Sequence, residues 1–246
     1  MTIVTLYRFD ELSNRDEIVK AIDGKRDGEY WFKAKESKHN ENEIDIDVWF
    51  EEDIEIGMRR AFGDEAQEFS EKLKQSGNEK VVRRVYCFLD LKLKTLEIYR
   101  GSDHITETIK EKLEELLQTT FSRVTLTSEQ LVKFVDRHSN ELKQAMFKYV
   151  HGLWYHLIRG RHLEINGKYN KYLQERPESL RVISVKPKIK FMNGRDYQVT
   201  INGDKGTISM WDGFFKWKPR FEVKQIVNLI VAATDFSFEF LVNFPL

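Results

Sequence analysis

Apolar and polar residues along the chain follow two periods, and together they predict a mixed α and β protein. "EIDIDVWF" (43–50) alternates strictly, which predicts a strand with Ile44, Ile46 and Val48 buried on one face and Glu43, Asp45 and Asp47 exposed on the other. "TIVTLYRF" (2–9) and "EYWFKAK" (29–35) read as strands, and "VVRRVYCFLDLK" (81–92) with "KTLEIYR" (94–100) as a hairpin with almost no connection. Helical spacing predicts "RDEIVKAID" (15–23), capped by Ser13 or Asn14 and stopped by Gly24. It also predicts helices at 64–77 and 104–120, the latter with Ile105, Ile109, Leu113, Leu116 and Leu117 in one stripe.

A short strand at 122–126 leads into an expected helical hairpin, 128–138 and 140–157, with Thr127 or Ser128 capping the first helix and Ser139 or Asn140 the second. "NGKYNKYLQERPES" (166–179), polar and containing Pro177, reads as a linker. From 179 the pattern becomes β-rich, with strands at 179–191, 196–203 and 206–217, then a helix at 223–234 and an aromatic-rich end. Strands followed by a helix occur twice, at 81–120 and 179–234. This predicts an α+β fold: largely antiparallel sheets with helices packed on one face, in two similar strand–strand–helix halves.

Composition narrows the class. A chain of 246 residues, 41% hydrophobic and 33% charged, can bury a sizeable core and keep a solvated surface. It has no apolar run of 18 or more residues, so no membrane-spanning helix or membrane partner is expected, and the acidic start "MTIVTLYRFDELSNRDE" does not resemble a signal peptide. The lone cysteine, Cys87, lies between Tyr86 and Phe88 and reads as a buried thiol, excluding an internal disulfide framework. An intracellular protein is expected, cytoplasmic, or nuclear in a eukaryote.

The net charge of zero conceals a split. Residues 1–120 carry 20 Lys+Arg against 28 Asp+Glu, and residues 121–246 carry 20 against 12. The extremes are 41–70, with 2 basic and 11 acidic side chains, and 137–220, with 17 and 7. The expected organisation is an acidic half, 1–126, and a basic half, 127–246, with one continuous domain as the alternative. A basic half points to an anionic partner.

Catalytic patterns are few. Gly160, Gly167 and Lys168 do not make a phosphate loop, because six residues separate the glycines and Tyr169 stands where Ser or Thr would hold magnesium. His151 and His156, five apart, diverge on a helix, and no metal or cofactor is expected. Glu43, Asp45 and Asp47 could ligate magnesium, but they read better as a charged strand face that blocks sheet pairing. Asp90 and Lys92 have the spacing of metal-dependent nucleases, though Asp64, the upstream carboxylate, lies in helix-like sequence. The chain therefore reads as non-catalytic.

Cations and rings cluster instead in "YHLIRGRHLEINGKY" (155–169), which holds Arg159, Arg161, His162 and Lys168. Lys186, Lys188 and Lys190 alternate in "VKPKIKF", and Pro187 among them suggests an edge strand. "WDGFFKWKPR" (211–220) sets Lys216, Lys218 and Arg220 among Trp211, Phe214, Phe215 and Trp217. Bases stack on such rings while cations neutralise phosphates, so a nucleic-acid partner, DNA or RNA, is expected through these ten residues. A protein–protein adaptor or homo-oligomer, built from the acidic and basic faces, is the second reading, and a metal-dependent nuclease the third.

Overall fold

The computed structural model describes residues 1–63, 66–77, 79–150, 152–211 and 220–234. In chain order the elements are β1 (Thr2–Arg8), α1 (Arg15–Ile22), β2 (Arg26–Asp27), β3 (Tyr30–Glu36), β4 (Glu43–Asp53), α2 (Ile54–Phe62), α3 (Ala66–Gln75), β5 (Lys80–Asp90), β6 (Thr95–Ile98) and α4 (His104–Leu117). There follow β7 (Ser122–Arg123), α5 (Ser128–His138), β8 (Ser139–Val150), β9 (Leu153–Arg159), α6 (Gly167–Glu175), β10 (Leu180–Pro187), β11 (Gln198–Asn202), β12 (Thr207–Trp211) and α7 (Arg220–Thr234). The fold is α+β, as the pattern predicted. Among the described residues no helix is long and apolar enough to cross a membrane.

The chain forms two compact units that interleave in sequence: residues 9–98 with 107–121, and residues 1–8 with 99–106 and 122–246. The last crossing, at 121/122, falls near the division drawn from charge. Charge separates further by unit than by half. The first unit carries 18 basic and 27 acidic side chains, net −9, and the second 22 and 13, net +9. They are called the acidic and basic units below.

In the acidic unit the strand order is β2-β3-β4-β5-β6, each pair antiparallel. The alternation of β4 does what its pattern requires on the apolar side: Ile44, Ile46 and Val48 are buried, with Ile46 opposite Ala34 and Cys87. Helix α1 lies on β3, capped by the Asn14 side chain, which accepts from Glu17 N (3.1 Å), and followed by Gly24 at φ +73. The polar side of β4 differs from expectation. Glu43 is buried, and Asp45 and Asp47 are half-buried, because β3 and β5 flank the strand on both sides. The expected helix at 64–77 is α3, while α2, capped by Asp53, continues straight from β4 in a segment the pattern left unassigned.

In the basic unit the order is β1-β12-β11-β10-β8-β9, with β7 pairing the end of β1. Helix α5 starts as expected, in a capping box between Thr127 and Gln130. The second helix of the expected hairpin does not exist. Ser139–Val150 and Leu153–Arg159 are instead β8 and β9, an antiparallel hairpin with Gly152 at φ +75 before the second strand. Glu141, Leu142, Lys143, Gln144, Ala145 and Met146 are good helix formers. Placement between β10 and β9 overrides that preference, and buried Ala145 and Phe147 alternate with half-buried Gln144, Met146 and Lys148.

The expected linker is also structured. It contains α6, capped by Asn166, whose Tyr169 and Tyr172 are buried against Phe147 at ring separations of 5.8 and 5.3 Å. Strand β10 is interior rather than an edge, since β11 and β8 flank it. Pro187 is tolerated as its last residue, at a register shift where no ladder donor is needed. Helices α5 and α6 cover one face of the sheet, with α7 against α5. The core forms there, from Leu142, Ala145, Phe147, Ile183, Val185 and Val199 below Leu131, Phe134, Ile226 and Ile230.

Candidate nucleic-acid interface

The strand registers that bury Ala145, Ile183, Ile201 and Ile208 turn their neighbours to the opposite, open face of the basic unit's sheet. One row across that face reads Arg159, Gln144, Ser184, Thr200, Ser209. Arg159 Nε donates to Gln144 Oε1 (3.0 Å), and Ser184 Oγ accepts from Thr200 Oγ1 (2.9 Å) and Gln198 Nε2 (2.7 Å). The row is polar and hydrogen-bonded within itself at two places.

Cations flank it on both sides along the strands. Lys186 lies opposite Glu141, whose Oε2 is 3.8 Å from Lys186 Nζ and 3.7 Å from Lys143 Nζ. On the other side Lys148 Nζ lies 5.7 Å over the Tyr155 ring and pairs with Asp204, which also meets Arg181 Nε at 3.2 Å. The hydrogen bond to Asp204 raises the Lys148 pKa and keeps the ammonium charged. Thus one carboxylate is shared between two cations on each side, and Arg159 is held by a neutral amide.

The ten expected residues do not share one surface. Arg159 and Lys186 lie on the open face, separated by β8, about 12 Å apart by strand geometry. Lys188 and Lys190 fall beyond the end of β10, so the three lysines do not line one strand face. Lys188 Nζ donates to Asp136 O (2.8 Å) at the end of α5, and Lys190 O accepts from Gln225 Nε2 of α7 (3.3 Å). Arg161 and His162 occupy the turn after β9, where His162 adopts φ +50 and its Nδ1 lies 3.0 Å from Glu164 Oε1. Burial raises the Glu164 carboxyl pKa, but hydrogen bonds from its own N–H, Leu142 N and His162 outweigh it and leave the pKa lowered. Lys168 is exposed in the first turn of α6. Arg220 lies over the Tyr99 ring (5.8 Å) and donates from Nη1 to its hydroxyl (3.2 Å). Lys216 and Lys218, with Phe214, Phe215 and Trp217, lie outside the described residues.

Lys143, Lys148, Tyr155 and Gln144 complete the open face, and reading 139–159 as strands would have found them. Arg161, His162, Lys188, Lys190 and Arg220 belong to loops and helix ends instead. Asp90, the nuclease candidate, is buried, and its Oδ1 accepts from Leu93 N (2.8 Å) in the β5–β6 turn. Among the described residues no group of three His, Cys, Asp or Glu is placed to hold a metal ion. Burial pushes the Cys87 thiol pKa up, which suits an inert core residue. No family model matches the chain, and no curated protein matches it.

Proposed function

We propose that the protein binds single-stranded nucleic acid without cleaving it, on the open sheet face of its basic unit. The observation that carries this reading is the segregation of charge, net +9 in the unit that presents Lys143, Lys148, Arg159 and Lys186 on one polar sheet face. An antiparallel sheet with cations and the exposed rings of Tyr155 and Trp211 suits a strand whose phosphates meet the cations while its bases stack. Half-buried Gln144, Gln198 and Thr200 supply neutral side chains to base edges between the flanking cations. Such a ligand fits the expectation of an intracellular protein.

The test is fluorescence anisotropy with labelled single- and double-stranded DNA and RNA at two salt concentrations. Binding to single strands that weakens steeply with salt is the expected result, because each phosphate contact releases counterions. An absence of binding at low salt would overturn the proposal. Magnesium-dependent cleavage lost in Asp90→Asn would replace it with the nuclease reading.

A further inference from the structure

Among the described residues β9 pairs with β8 alone, so it is an edge of its sheet. Gly160 N donates to Lys143 O (3.0 Å), which sets the phase of the ladder. Bonded and non-bonded positions alternate in antiparallel pairs. His156 and Ile158 therefore direct their backbone groups to β8, and Tyr155, Leu157 and Arg159 direct theirs outward. Edges of this kind accept further strands, and proteins usually blunt them with charge, proline or a bulge. From Leu153 to Ile158 β9 has no charge and no proline. It exposes Leu153 (50%), Trp154 (73%), Tyr155 (58%) and Leu157 (43%) instead.

We infer that β9 pairs edge to edge, antiparallel, with β9 of a second copy of the chain, about a two-fold axis at Leu157. This register uses the outward backbone groups of both strands. On the open face it sets Tyr155 opposite Arg159 of the second copy, twice by symmetry. The guanidinium, held in its own chain by the neutral Gln144, then gains an aromatic face. On the other side Trp154 falls opposite Gly160 of the second copy, beside the Leu163 side chain that packs over that glycine. The two Arg159 residues stand about 13 Å apart along the strands, beyond the roughly 8–10 Å over which salt leaves charges effective. Pairing also joins the open faces of two basic units into one sheet.

A strand pair buries less than the roughly 1,200–2,000 Å² of a stable interface, so the dimer forms by mass action. Sedimentation equilibrium from about 5 to about 500 µM, a span that detects a micromolar Kd, should show the mass rise from 29.3 kDa towards twice that value. Leu157→Lys, which sets two charges at the axis, should hold the mass at 29.3 kDa throughout. Leu157→Cys should give a disulfide-linked dimer under mild oxidation far faster than Met192→Cys, an exposed control, because the sole natural thiol, Cys87, is buried. The cross-linking comparison decides the matter even if Leu157→Lys fails to fold.

A wild type that stays monomeric across the range, a dimer that persists in folded Leu157→Lys, or equal cross-linking of the two cysteine variants would overturn the inference. A monomeric wild type that binds an extended acidic peptide, and loses it in Leu157→Lys, would assign the edge to another protein and also overturn it.

Discussion

The two units solve one architectural problem in opposite ways on their open faces. In the acidic unit the cations meet carboxylates in register: Lys33 is opposite Asp47, Lys35 opposite Asp45, and Arg84 grips Asp47 through two nitrogens, with Nε at 3.0 Å. Rings close the remaining space. Trp31 stacks on Trp49 with centroids 6.5 Å apart, and the Arg84 guanidinium lies 5.1 Å over Trp49 and 4.4 Å over Tyr86. In the basic unit the equivalent face has Glu141 between two lysines, Asp204 between Lys148 and Arg181, and Gln144 for Arg159. The first face is satisfied within the chain. The second keeps a surplus of positive charge above a hydrogen-bonded polar floor. Similar architecture thus yields a face of paired charges in one unit and a face with a surplus of cations in the other.

The largest effect should come from the core beneath that second face. Phe147 is fully buried and meets Tyr169 and Tyr172, so Phe147→Ala should cost about 3–5 kcal/mol in urea unfolding. A loss below about 1 kcal/mol, the range of a surface site, would mean that 139–159 is not the packed hairpin described.

Replacing Lys143, Arg159 and Lys186 together with Gln should come next. Nucleic-acid affinity should fall by about tenfold or more, at least 1.4 kcal/mol. The slope of log affinity against log salt should flatten by about two to three, at 0.7–0.9 per lost contact. The matching triple change in the acidic unit, Lys33, Lys35 and Lys38 to Gln, should leave both unchanged. Equal losses from the two triples would erase the contrast between the units.

A smaller change sharpens the contrast from the other side. Arg84→Ala removes the bidentate grip on Asp47 and two cation–ring contacts, and should destabilise by about 1–2 kcal/mol, more than an isolated surface pair. Arg159→Ala, which loses one neutral hydrogen bond, should cost about 1 kcal/mol or less. Thermal unfolding of the two variants measures the difference directly.

The legible parts of this fold are those whose signals are local. The strict alternation of β4, the tight β5–β6 connection and the Thr127 cap of α5 each follow from a few adjacent residues. The β8–β9 hairpin was not legible. Its first strand is built of helix formers, and the partner that overrides them, β10, comes about 40 residues later. Gly152 and the ring-rich LWY after it were the local clues. The candidate face inherited the same blind spot. Arg159 and Lys186 were both singled out from their charge, but they share a face because β8 lies between them, and Gln144 joins it through the same register. Lys188 and Lys190 followed a strand period that stops at Pro187.

The smallest expected effect concerns His138, at the end of α5 and away from the open face. Burial, with the charges of Arg137 and Lys188 beside it, holds its imidazole below the ordinary value. A histidine whose folded pKa is depressed binds its proton more readily when unfolded. Stability is therefore full above the unfolded value of about 6.5 and declines as pH falls through it towards the lower folded value. Chemical denaturation between pH 8 and pH 5 should show this decline, and His138→Gln should reduce it. The same histidine reports where nucleic acid sits. Phosphate beside Arg137 and Lys188 would favour the imidazolium and raise its pKa. Phosphate on Lys143, Arg159 and Lys186 would leave it unmoved. NMR titration of His138 with and without an oligonucleotide should give the same midpoint, and an upward shift would move the binding surface from the open face to the ends of the helices.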